Sequence, residues 1–189
     1  MPAKWVLTVA MVAGVLTSGL YLSVMGGPAY ILLQYLTQLP LFLVGLGLGF
    51  VPTLVSSCVA LSIALTTDLA LGLVFVVGYI GPTLLVTHRA LLSRSTEGPV
   101  LEWYPAGRML SEITIYVLLT FCLALLWFSN EDGGLAGVIE RSMTSLMSAL
   151  GDEVAQGTID VLRGYLFVVP GLMGVSWIMM VAVNGAFAQ

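Results

Sequence analysis

Tyr30, Gln34 and Gln38 stand four residues apart in an otherwise apolar run, and Pro40 follows two residues later. On a helix this spacing lines one face. Gln38 lies about 12 Å along the axis from Tyr30. Their chemistry is hydrogen bonding without charge. Each amide offers donors and acceptors at once, and the phenol offers one donor. Pro40 removes a backbone hydrogen bond and crowds the carbonyl of Leu36, so the helix is expected to kink or break near Gln38. Irregular backbone at membrane depth persists only where protein or a wet cavity covers it. Broken helices of this kind form solute sites in transporters. The expected ligand is therefore small, polar and neutral. The competing expectation is that each amide bonds a neighbouring helix of the same chain.

Other chemistry-bearing residues are sparse. Asp68 ends an apolar run and is expected in the headgroup region. Glu112 lies four residues after Arg108, and a pair on one helix face is expected there. An acid within an apolar helix is otherwise a functional candidate. His88 is the single histidine, so no metal site is expected around it. Cys58 and Cys122 both fall inside apolar runs with no ligand spacing. The glycines at 45, 47 and 49 lie in an apolar helix, not in a phosphate loop after a strand. Metalloprotease, P-loop and hydrolase motifs are missing from the sequence. Asp68, Glu112 and His88 are expected at opposite membrane faces, so they cannot converge. No enzyme, cofactor or metal is expected.

The elements that must hold these residues are membrane helices. The chain has 189 residues, 59% of them hydrophobic and 8% charged. A soluble domain carries roughly 25% charge. The formal charge of −4 does not suit nucleic acid. A crossing takes about 20 apolar residues, and the sequence divides into about six. The expected fold is all-α, a single polytopic transmembrane bundle.

Crossings are expected at about residues 5–24, 29–50, 51–66, 69–87, 109–128 and 164–183. The first is too long for a signal-peptide core and is read as uncleaved. Ala10, Gly14 and Ser18 form a small-residue stripe along it. Such a stripe suits close approach by another helix, from this chain or from a docking subunit. Gly26-Gly27-Pro28 reads as a turn. Gly45 and Gly49 form a GxxxG pair expected to pack helices. Gly78, Gly81 and Pro82 predict a second kink, and Pro170 a third. Residues 88–108 form a basic connection containing a Gly98-Pro99 turn. Residues 129–163 form an acidic one. Within it, Leu135, Val138, Ile139, Ser142, Met143, Leu146, Met147 and Leu150 recur at helical spacing and predict an amphipathic helix. A further helix is expected from Asp152.

Lys4 and the 88–108 connection hold four of the six basic residues. The positive-inside rule puts both in the cytoplasm. The amphipathic region then lies outside. The expected location is a bacterial inner membrane, with the N-terminus cytoplasmic. Asn184 to Gln189 carry no basic residue and read as a helix that continues.

The run Gln38-Leu-Pro-Leu-Phe-Leu-Val-Gly-Leu-Gly-Leu-Gly49 resembles a Pro-Leu-Phe…Gly-Leu-Gly signature of the YybS-like family of bacterial membrane proteins. Asn184-Gly185-Ala186 with Ala188-Gln189 resembles its later part. That family is similar in fold to the substrate-binding S components of energy-coupling-factor vitamin transporters. The resemblance implies six helices and a coupling subunit docked on small residues of the first, here Ala10, Gly14 and Ser18. No vitamin-specific motif is present.

Two functions are expected from these features. The first is an S-component-like protein binding a small polar solute near Tyr30, Gln34 and Gln38, with membrane lipids and other membrane subunits as partners. The second is an accessory or assembly subunit of a larger complex with no ligand of its own.

Overall fold

A computed structural model describes residues 2–26, 30–95, 101–148 and 168–188. The expected Gly27-Pro28 and Gly98-Pro99 turns, the helix from Asp152 and the first residues of the last crossing lie outside them. The helices are α1 (Ala3–Leu22), α2 (Ile31–Tyr35), α3 (Leu39–Leu48), α4 (Phe50–Thr67), α5 (Leu69–Phe75), α6 (Gly81–Ala90), α7 (Ala106–Trp127), α8 (Gly134–Ser148) and α9 (Val169–Phe187). A π-helical turn, Val76–Ile80, joins α5 to α6 without interruption. A short antiparallel hairpin, β1 (Ser93–Ser95) with β2 (Leu101–Trp103), precedes α7. Among the described residues, five helices are long and apolar enough to cross a membrane: Ala3–Leu22, Phe50–Thr67, Leu69–Ala90, Ala106–Trp127 and Val169–Phe187. That number marks a multi-pass membrane protein.

The expected crossing at 29–50 is not one helix. It is a five-residue α2, a turn at Leu36–Gln38 and a ten-residue α3. Ten residues rise about 15 Å, half of a hydrocarbon core. Pro40 sits in the first turn of α3, where its missing N–H costs nothing. The residues that would show the expected kink at Pro170 lie mostly outside the described ones. Pro170 is the second residue of α9. The expected kink at Gly78–Pro82 coincides with the π-helical turn, a common cause of helix kinks. Gly49 alone separates α3 from α4. Its φ of 102° and ψ of 178° fall in a region essentially restricted to glycine.

The chain divides into two compact units, residues 1–114 with 179–189, and residues 115–178. In the first, α1 lies along α4. A Cβ at Gly14 would sit 2.5 Å from the Ser56 carbonyl and 2.8 Å from Val59 Cβ. The small-residue stripe therefore lets two backbones of one chain touch. One apolar core joins Tyr21, Leu41, Ala60, Ala64, Phe75 and Ile80. Tyr21 stacks on Phe75 at 4.4 Å, and its hydroxyl donates to the Leu71 carbonyl at 2.9 Å. Such aromatic pairs contribute about 0.5–1.5 kcal/mol beyond their buried area. Asp68 is the N-cap of α5. Its carboxylate accepts from the Leu71 amide at 3.0 Å.

In the second unit, Gly174 of α9 lies against Phe121 and Val117 of α7, and Tyr116 meets Trp177 edge-on at 6.1 Å. The described part of the acidic connection holds α8, as the apolar spacing predicts. Arg141 ties it to the preceding turn, donating to the Asp132 carbonyl at 3.0 Å and reaching Glu131 at 3.5 Å.

Candidate functional site

The break between α2 and α3 gathers the polar side chains of the first unit. Gln38 is the N-cap residue of α3 and is fully buried. Its Nε2 donates to the Tyr79 carbonyl at 3.2 Å. That carbonyl, in the π-helical turn, also accepts from Thr83 Oγ1 at 2.7 Å. The Gln34 side chain hydrogen-bonds the Tyr79 hydroxyl. Both glutamines of the expected face therefore converge on one residue of the π-helical turn.

Tyr30 does not join them. It precedes α2, is 44% exposed, and lays its ring over Gly26. The i, i+4, i+8 expectation assumed one unbroken helix, and α2 begins only at Ile31.

The other side of the break is braced by a residue the spacing did not flag. Asn184 of α9 is 1% exposed, and its Nδ2 donates to the Tyr35 carbonyl at 2.7 Å and to the Met180 carbonyl at 2.7 Å. Tyr35 ends α2, so this bond takes up a carbonyl left over at the break. A lone asparagine in an apolar run was the available signal.

The bonding is incomplete. Gln38 Oε1, Asn184 Oδ1 and Thr37 Oγ1 are buried and have no hydrogen-bond partner among the described residues. An unpaired buried polar group costs about 1–3 kcal/mol. Three of them lie on, or bond to, one short turn. Two are amide oxygens, which can only accept, so the turn lacks donors.

The remaining expected site residues are structural. Ala10, Gly14 and Ser18 are buried, with Gly14 on α4, so the stripe is covered by this chain rather than left open to a docking subunit. A Cβ at Gly45 would meet Thr87 at 2.6 Å and Thr53 at 2.9 Å, so Gly45 admits close packing of α3 on α4 and α6. Gly49 has nothing within 4 Å of its Cβ position. Its role is the positive φ, not packing. The rest of that interface holds buried hydroxyls: Thr53, Thr83 and Thr87 are all 0% exposed.

A second polar cluster sits where α6 ends and α7 begins. Glu112 does not pair with Arg108, as expected from their spacing. It accepts from Arg89 Nε at 2.7 Å and from the Tyr104 hydroxyl in a short hydrogen bond. The hairpin turns the chain so that Arg89 reaches across from α6. The guanidinium carbons of Arg89 and Arg108 lie 5.4 and 5.6 Å from the Tyr104 ring centroid. The hydrogen bond to the Glu112 carboxylate holds the Tyr104 phenol above its usual range, since a phenolate could not donate it. His88 is exposed and meets Phe50 edge-on at 5.3 Å. Among the described residues, no three acids, histidines or cysteines group as metal ligands would.

Comparison of the chain with protein-family models, with curated proteins and with solved structures gives no match.

Proposed function

We propose that this chain is a multi-pass membrane protein that binds a small polar solute at the break between α2 and α3. The observation that carries the reading is the unpaired, fully buried Oε1 of Gln38. With Asn184 Oδ1 it calls for N–H or O–H donors. A solute rich in such donors would satisfy both and offset the cost of leaving them unpaired. Broken helices that expose backbone and amide groups are the usual solute sites of membrane transporters.

In this structure Gln38 is closed to solvent, so binding requires α2 to move. That helix has five residues, and its Leu32 and Leu33 are 78% and 40% exposed. The site residues are Gln34 and Gln38, with Asn184 and the Tyr79 carbonyl; Tyr30 is exposed and precedes α2. The resemblance to S components supports uptake with partner subunits in a bacterial inner membrane. The basic residues Lys4, Arg89, Arg94 and Arg108 support a cytoplasmic N-terminus.

The test is solute retention by Gln34→Leu and Gln38→Leu variants that remain folded. Loss of the bound solute in both supports the reading, and full retention in both removes it.

One observation favours the second reading, an accessory subunit without a ligand. The amide nitrogens of Gln38 and Asn184 donate to carbonyls of the chain itself. On that reading the amides only fasten the break. Gln38→Leu would then lower stability, with no bound molecule to lose.

A further inference from the structure

We propose that Arg89, Tyr104 and Arg108 seat the phosphate of one anionic lipid headgroup at the membrane face where α6 ends and α7 begins. Among the described side chains, Glu112 is the acid that bonds these groups, and both its oxygens are taken, one by Arg89 Nε and one by the Tyr104 hydroxyl. It neutralises one guanidinium of two. Arg108 is exposed and makes no ion pair among the described residues. Arg89 bonds Glu112 through its Nε, and its side chain is 37% exposed, which leaves its terminal nitrogens for a further acceptor. A single ring, Tyr104, gathers both guanidiniums and limits their freedom. Guanidinium forks match phosphate oxygens in pairs.

Position selects the source of the phosphate. Arg89 is the penultimate residue of one apolar span and Arg108 the third residue of the next. Both therefore lie at headgroup depth. Trp103 stands beside them with 62% of its surface exposed, as an interfacial anchor does. A ligand here has its phosphate on the arginines and its chains against the apolar spans. A lipid has that shape and a free phosphate ion does not. This site is independent of the solute reading at the α2–α3 break.

The test is native mass spectrometry of the detergent-purified chain. It is titrated with phosphatidylglycerol and with chain-matched phosphatidylcholine, with and without millimolar inorganic phosphate. The expected result is tighter retention of the first phosphatidylglycerol, a preference that falls about fivefold in Arg108→Gln. Arg108→Lys keeps most of it, and inorganic phosphate does not displace the lipid. Equal retention of the two lipids would overturn the proposal, as would an unchanged preference in Arg108→Gln. Displacement by inorganic phosphate would overturn the lipid as source. Arg108→Gln is expected to melt like the parent, because the side chain is exposed; a large drop in melting temperature would make Arg108 structural and overturn it too.

Discussion

Replacing Gly14 with alanine tests the pairing of α1 with α4. The new Cβ would lie 2.5 Å from the backbone oxygen of Ser56 and 2.8 Å from Val59 Cβ. Ordinary contact begins at 3.4 Å, so α4 must retreat by about 0.9 Å at that point. A backbone carbonyl inside a helix cannot swing aside as a side chain can. Overpacking of this kind costs about 1–3 kcal/mol. The substitution also gains helix propensity, about 1 kcal/mol, which would mask part of the loss. Gly19→Ala supplies the control. It lies on the same helix and has nothing within 4 Å of its Cβ position, so it makes the same gain without the clash. The difference between the two variants isolates the clash. For a chain of this length it corresponds to roughly 2–12 °C in melting temperature, with Gly14→Ala the lower. The assay is thermal unfolding in one detergent, followed by far-ultraviolet circular dichroism. Equal melting temperatures for the two variants would refute the intramolecular contact and return the stripe to the role of an open docking face.

Three further outcomes follow from particular residues. Gly49→Ala should destabilise by about 1–3 kcal/mol, because φ of 102° strains any side chain, whereas Gly47→Ala, with open space around it, should not; thermal unfolding of both variants checks this. Asp68→Ala removes the cap on the Leu71 amide and should cost about 1 kcal/mol by the same assay. Tyr104 should ionise above the usual phenol range and move back towards it in Glu112→Gln, which a difference titration at 295 nm against Tyr104→Phe would show. Its folded pKa is raised, so the contribution of the Tyr104–Glu112 bond is complete below the ordinary phenol pKa and is lost as pH rises through the folded value.

Composition and helix punctuation made much of the first unit legible. Pro40 and the two glutamines marked the break, and Thr67-Asp68 marked the turn between α4 and α5. What escaped was tertiary. The spacing of Arg108 and Glu112 favoured a pair on one helix, but the hairpin delivers Arg89 to the same carboxylate, and no periodicity encodes that. Tyr30 was grouped with the glutamines because helical spacing runs on in a sequence even where the backbone stops. Asn184 was read as part of a trailing helix, although it bridges 149 residues to close the break. Gly78, Gly81 and Pro82 marked the place of the π-helical turn but not its form, because they loosen a helix without saying how it re-forms its bonds.

The central claim is that the unpaired amide oxygens at the α2–α3 break hold a solute. Native mass spectrometry of the chain released gently from its own membranes, beside its Gln38→Leu variant, tests this most directly. The account predicts a small polar molecule on the parent chain that the folded variant has lost. A parent chain that carries no small molecule, or a variant that keeps it, would contradict the account and leave the amides as fasteners of the broken helix.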